Sequence, residues 1–353
     1  MIRINSIGGA VYVADEPVVY VGRSEIEFLN QKVHAAEGRQ VRLCAHKRNE
    51  DTLHETFVVY AKETYLRPSK HVSAGQSFHV VEGLADVALF DEQGKITDVI
   101  PMGDYSSGRR FYCRISESVY HTLLIESDVL VIHKTTHGPS QKSDAILAPW
   151  APEESDMFAV TKFMAQLASQ VQESGSVMIR VKPVNREVYV ADEPVVYVGR
   201  SEIEFLKERV DATERKRVRL CAHKDVGDKL HEMFIVLTGG TYLRPSKHLN
   251  KDESVHILEG SADYIFFDEA GNITQIVRLG DYSVGVGFYC RIPESANHVL
   301  LVGSNVMVVH ETTTGPFRRS DTTFAPWAPE EGETDAVNKF MRQLAITTAN
   351  FVG

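Results

Sequence analysis

The sequence is short of the residues that mark several whole classes of protein. Four cysteines in 353 residues, Cys44, Cys113, Cys221 and Cys290, show no CxxC spacing. Neither a disulfide-stapled scaffold nor a thiolate zinc finger is therefore expected, and the thiols read as reduced and mostly buried. No run of 18 or more apolar residues occurs, and the opening MIRINSIGGA has neither the basic nor the apolar region of an export signal. The chain reads as cytoplasmic, with no membrane partner. Positive charge is also scarce: 38 Lys and Arg against 48 Asp and Glu leave a formal charge of −10, which argues against a phosphate-neutralising nucleic-acid face. What remains, 43% hydrophobic and 24% charged residues, is enough apolar material for a sizeable globular core.

The dominant positive feature is a duplication. Residues 11–29, VYVADEPVVYVGRSEIEFL, recur unchanged at 188–206. The offset of 177 holds from Met1 opposite Met178 to Phe163 opposite Phe340. A period this long is a repeated domain, since solenoid units run to about 20–50 residues. The division expected is a first module over 1–168, a linker over 169–177 and a second module over 178–353. Twelve of the 14 histidines fall into matched pairs (46/223, 54/231, 71/248, 79/256, 121/298 and 133/310), and the cysteines pair as 44/221 and 113/290.

Within one module, Ser24 reads as an N-cap for a helix with Ile26, Leu29 and Val33 on one face. The long middle is β: short Val-, Ile-, Phe- and Tyr-rich runs at 56–60, 77–81, 87–90, 96–100, 111–115, 121–125 and 129–133 are separated by turns such as Asp91-Glu92-Gln93-Gly94. Seven or more short strands point to an antiparallel sandwich or jelly-roll barrel. A helix follows Ala148-Pro149-Trp150-Ala151-Pro152, whose prolines and tryptophan read as a rigid strap across the barrel or over an edge strand.

In the second module, Gly240-x5-Ser246-x-His248-x4-Glu253-x6-Gly260, followed by Pro293-x4-His298, resembles the paired motifs of the cupins. The surrounding Arg-Leu-Cys-Ala-His, Tyr-Leu-Arg-Pro-x-Lys-His and Phe-Ala-Pro-Trp-Ala-Pro-Glu-Glu are similar to the WbuC-type cupin-fold metalloproteins, which are associated with bacterial surface-polysaccharide clusters. The resemblance spans about residues 40–155 and 217–332. It implies a mainly β chain of two tandem jelly-roll cupin barrels with short flanking helices, and a divalent metal (Fe, Mn, Ni or Zn).

His248, Glu253 and His298 form the expected metal set, because two imidazoles and a carboxylate converging inside a barrel leave coordination positions open. Strand alternation gives 246 and 248 one face, and 253, 255 and 257 the inward face after the turn. Ser246 stands where the cupin motif carries its first histidine. In the first module the corresponding positions are Glu63, Ser69, His71, Gln76, Gly83, Ser116 and His121. An amide oxygen offsets no charge on a dication, so His71, Gln76 and His121 are expected to bind metal weakly or not at all.

His231, His256 and Tyr289 are the candidate catalytic residues. His256 and His79 lie one residue off the inward parity and face the opposite side of the strand unless a bulge intervenes. His231-Glu232 and His54-Glu55 precede strands, so neither is half of a helical HExxH zinc site. Tyr242, Arg244, Lys247 and Ser246 are the candidate substrate-binding residues, with Lys251 adding charge suited to an anionic, sugar-like small molecule. The expected activity is metal-dependent isomerisation or epimerisation of a carbohydrate-like molecule, with His231 shuttling a proton. Mononuclear iron chemistry with O₂, or non-catalytic sugar binding, are the alternatives. Barrel edges could be covered by the other module or by a second chain in a homodimer.

Overall fold

A computed structural model describes residues 1–71, 75–115, 118–139, 144–170 and 178–351. Ser116 and most of the expected linker, 171–177, lie outside the described residues, while Ser169 and Gln170 close a helix.

Each module opens with a β-ribbon and a helix. Helix α1 (Arg23–Val33) buries Ile26, Leu29 and Val33 completely, a helical stripe worth about 1.5–3 kcal/mol per large side chain. Its start differs from the Ser24 expectation. Gly22 is the N-cap, and the buried Glu25 accepts the Gly22 N–H at 2.9 Å and the Ile2 N–H at 3.0 Å, while Ser24 Oγ donates to the same carboxylate. A carboxylate at the third helical position reaches back to orphan donors that a serine inside the first turn cannot satisfy. Helices α2 (Met157–Gln170), α3 (Arg200–Val210) and α4 (Thr334–Ala349) complete the α-helices of the described residues, and Glu202 repeats the Glu25 arrangement in α3.

The barrel of the first module is two facing sheets. Gln40–Cys44, Leu53–Ala61, Val129–His137, Gln76–Glu82 and Tyr112–Ile115 pair in that order in one. Ser69–His71, Tyr120–Ile125, Leu84–Phe90 and Ile96–Gly103 pair in the other. Inward side chains of both, including Val58, Phe78, Val87, Ile100 and Leu123, form one core. The second module repeats the order. The Asp-Gly turns are as the sequence implies: Gly94 and Gly271 have φ of +86° and +88°, and a Cβ on either would lie 2.6 or 2.9 Å from the ring of Trp150 or Trp327. Each tryptophan is thus a lid on the outer face of a hairpin, packed in its module with Phe90 or Phe267.

The barrel edges are covered within the chain by reciprocal exchange. Val19–Gly22 of the first module pairs antiparallel with Gly287–Ile292 of the second, and Val195–Val198 pairs with Tyr112–Ile115 of the first. The exchanged strands lie in the stretch that is identical in both copies. At the junction, Glu55 accepts hydrogen bonds from Ser254 Oγ (2.5 Å), Tyr289 (2.7 Å) and Arg291 (2.8 Å). Glu232 accepts from Ser77 (2.5 Å) and Arg114 (2.8 Å). Burial alone would push both carboxyls up, but His133, Arg291 and Ser254 around Glu55, and His310, Arg114 and Ser77 around Glu232, outweigh it and hold each at about 2.

Candidate metal centre in the second barrel

Register brings the three expected ligands together across the second barrel. Ser246–His248 pairs with Asn297–Val302 through Ser246 opposite His298, which places His248 and His298 on adjacent strands. Glu253 begins the Glu253–Glu259 strand of the facing wall, joined to theirs in one continuous sheet. The ligand atoms of His248, Glu253 and His298 all lie within 4.8 Å of one another, the one such group among the described residues. His248 Nε2 is 3.0 Å from Glu253 Oε2. His298 Nδ1 donates to the Ala296 carbonyl at 2.8 Å, and His248 Nδ1 is 3.1 Å from Thr322 Oγ1. The Nδ1 contacts fix the rings and leave both Nε2 lone pairs facing the carboxylate, the donor set a divalent ion takes.

The electrostatics agree. Burial works against charge on His248, yet the hydrogen bond and charge of Glu253 hold its pKa above the ordinary histidine value. Burial would raise Glu253, but His248, His298 and Tyr264 beside it keep it low. The pair thus favours positive charge at the place a cation would take.

A fourth residue, absent from the expected set, belongs here. Glu311 lies opposite Val255 in the register, two residue pairs along from Glu253 opposite Thr313, and so on the same face. Burial, then the charge of Glu253, push its pKa up to about 7. The signal was in the repeat: position 311 is Glu where position 134 is Lys. That mismatch adjoins the matched pair His133/His310, and comparison of the copies by what they share passes over it.

The other expected residues divide sharply. His231, Arg244, Ser246 and Lys251 line the cavity of about 480 Å³ that opens onto the three ligands. Tyr242 and Lys247 do not: Tyr242 donates to the Pro329 carbonyl at 2.8 Å, and Lys247 reaches Glu269 at 2.6 Å on the outer surface. His256 and Tyr289 face the junction between modules, not the cavity. His256 stacks on His79 with ring centroids 4.1 Å apart, and Tyr289 is fully buried against Glu55. The reason is parity: positions 253, 255 and 311 point into the barrel, so 256 and 310 point out of it. Arg217 and Arg219, which the sequence did not single out, also line the cavity. Among the described residues the Arg219 guanidinium has a methionine sulfur at 3.8 Å as its one hydrogen-bond partner, and Arg217 Nε has none.

In the first barrel the same positions are arranged differently. Gln76 Nε2 donates to His121 Nε2, whose Nδ1 donates to Val119 at 2.9 Å, so the imidazole lone pair is already used. Lys134 takes the place of Glu311, and His71 and His121 are each held at about 4, chiefly by burial.

The chain matches the family model described as Domain of unknown function (DUF6016) over residues 23–102 and 198–279, one match in each repeat. No curated protein matches. Among solved structures, the salicylate 1,2-dioxygenase of Pseudaminobacter salicylatoxidans is similar at a TM-score of 0.58 with 10% identity, over 88% of this chain and 89% of that one. A mutant of that enzyme in complex with gentisate gives 0.57 with 13% identity, over 88% and 87%. An oxalate decarboxylase of Bacillus subtilis gives 0.41 with 12% identity, over 92% and 77%. The likeness is one of fold: two jelly-roll domains in tandem.

Proposed function

We propose that the second barrel holds one divalent metal ion on His248, Glu253 and His298 and uses it for O₂-dependent oxidation of a small carboxylate. The convergence of two fixed imidazoles and one carboxylate within 4.8 Å carries the reading. An ion on this set would supply open positions at which O₂ and an oxygen-bearing substrate meet. The chain's own residues do the rest. Arg217, Arg219 and Arg244 offer guanidinium groups to a substrate carboxylate, bidentate recognition being what arginine does best. Leu237, Leu243, Val255 and Tyr264 give the cavity apolar walls that exclude water and accept a ring or short chain. The structural neighbours support this class, gentisate being a dihydroxylated aromatic carboxylate of suitable size. In a ring-opening dioxygenation both atoms of O₂ enter the product as a C–C bond breaks, and the substrate supplies the electrons.

Isomerisation or epimerisation of a carbohydrate-like molecule is the second reading, favoured by Glu311. A carboxyl held near neutrality beside the ligands can hold or release a proton, and His231 is at the cavity wall to relay it. The polysaccharide setting implied by the WbuC resemblance attaches to this reading. Oxygen-electrode measurements on Fe(II)-loaded protein with gentisate and salicylate, run beside deuterium exchange into sugar phosphates in D₂O, separate the two. Oxygen uptake that requires both Fe(II) and an aromatic carboxylate supports oxidation. C–H exchange without oxygen uptake overturns it.

A further inference from the structure

The two barrels have one fold but opposite charge at the floor of the cavity. Where the second has Glu253 and Glu311, the first has Gln76 and Lys134. Gln76 lies opposite Thr136 and Phe78 opposite Lys134 in the register, so the amide and the ammonium are diagonal neighbours on one inward face. Both line a cavity of about 500 Å³.

Neither group is satisfied by the protein. Lys134 makes no hydrogen bond or ion pair among the described residues, and its ammonium lies over the face of Phe78 at 5.8 Å. Lys134 is half-buried, and an ammonium drawn into a partly desolvated cavity favours an anion beside it. Gln76 is 1% exposed, and its Oε1 has no donor. Arg67 lines the same cavity with its buried Nε unpartnered, while its Nη2 donates to the Ala148 carbonyl at 3.3 Å. The cavity's two acidic groups lie at its periphery: Glu63 is 3.7 Å from Arg39, and Glu154 is exposed to solvent.

We propose that the first barrel is a metal-independent binding site for a small hydroxycarboxylate, with the carboxylate on Lys134 and the hydroxyl donating to Gln76 Oε1. A fixed ammonium replaces the metal as the positive charge, and the Gln76–His121 hydrogen bond uses the lone pair that a metal would need. Phe78, Leu66 and Leu123 supply apolar walls, which favour an organic anion over a fully hydrated inorganic one. The inference does not rest on oxidation in the second barrel, because binding is expected with all metal removed.

The test uses the full chain in excess EDTA, with salicylate, benzoate and inorganic phosphate as probes. Burial and then Arg42 hold the Lys134 pKa down to about 8, so its amine reacts with acetic anhydride at mildly alkaline pH. Peptide mass spectrometry then reads that one site, whatever binds in the second barrel. Salicylate should protect Lys134 saturably and at lower concentration than benzoate. Calorimetry should show the same isotherm weakened by about tenfold or more in Lys134→Met, the loss of one charge-assisted hydrogen bond. Acetylation of Lys134 at an unchanged rate in saturating salicylate, protection that is lost in EDTA, or undiminished affinity in a folded Lys134→Met would overturn the proposal. Stronger protection by phosphate than by salicylate would overturn the carboxylate assignment. Should Lys134→Met fail to fold, the protection measurement on the unaltered chain still decides.

Discussion

Replacing Glu55 by Gln should destabilise both modules at once, although the residue lies in neither cavity. Glu55 is fully buried at the junction and accepts from Ser254, Tyr289 and Arg291 of the other module. A carboxyl held at about 2 instead of 4.5 is stabilised as its anion by about 3 kcal/mol, each tenfold in proton affinity being worth 1.4 kcal/mol. The amide keeps the shape but leaves Arg291 with Asp252, at 3.2 Å, and the weaker Asp51 to offset its charge. Breaking one partner of a buried pair costs about 3–5 kcal/mol, so the two routes agree on about 3 kcal/mol. Urea denaturation at pH 7 reads this directly, because each module carries a single tryptophan, Trp150 or Trp327. Both should unfold at lower urea in Glu55→Gln. The pH dependence gives a second reading: a depressed carboxyl contributes stability that is present above 4.5 and lost as pH falls through about 2, and this part of the acid limb should vanish in the variant. A loss below about 1 kcal/mol, or a loss confined to Trp150, would refute the reasoning.

Acid should also act through the buried histidines. His46 and His223 are held at about 4, by burial and then by the stacked His54 and His231, while His79 and His256 are pushed far below 6.5 by burial and by one another or neighbouring histidines. The unfolded chain takes up these protons near 6.5 and the folded chain does not. Stability is therefore complete above 6.5 and falls progressively towards pH 4, each histidine contributing up to about 1.4 kcal/mol per pH unit. A flat melting temperature between pH 6.5 and 4.5 would contradict this. In the first barrel, Gln76→Glu alone should not create a metal site, because Lys134 remains beside it. Gln76→Glu with Lys134→Glu, which restores both carboxylates of the second barrel, should add metal by elemental analysis, and metal gained by the single variant would show that the lysine is not the obstacle.

The sequence made the architecture legible because the repeat doubles every signal. Alternation around Glu253 separates the inward positions 253 and 255 from His256, and the short β runs at 56–60 and 129–133 lie within the longer strands Leu53–Ala61 and Val129–His137. Helix α1 runs over the stretch its apolar spacing marks, and only its cap was misplaced. What sequence could not reveal is where pairing crosses between copies. Val19–Gly22 and Val195–Val198 fit either barrel edge equally well by composition, since the two copies of that segment are identical, and only the three-dimensional arrangement selects the exchanged partner. Tyr289 and His256 were misjudged for the same reason, their destination being a junction no single module contains. Lys247 and Tyr242 show a related limit: proximity to His248 in sequence does not bring them to its cavity, because Lys247 alternates with Ser246 and His248 and Tyr242 precedes their strand.

The central claim is that one metal ion binds, in the second barrel alone, on His248, Glu253 and His298. Elemental analysis of the full chain reconstituted with Fe(II) or Mn(II) and then desalted tests it most directly, with Glu253→Gln and His298→Ala measured beside the unaltered protein. The account predicts one equivalent per chain in the unaltered protein and a trace in either variant. Two equivalents, or one equivalent retained when Glu253 or His298 is replaced, would contradict it.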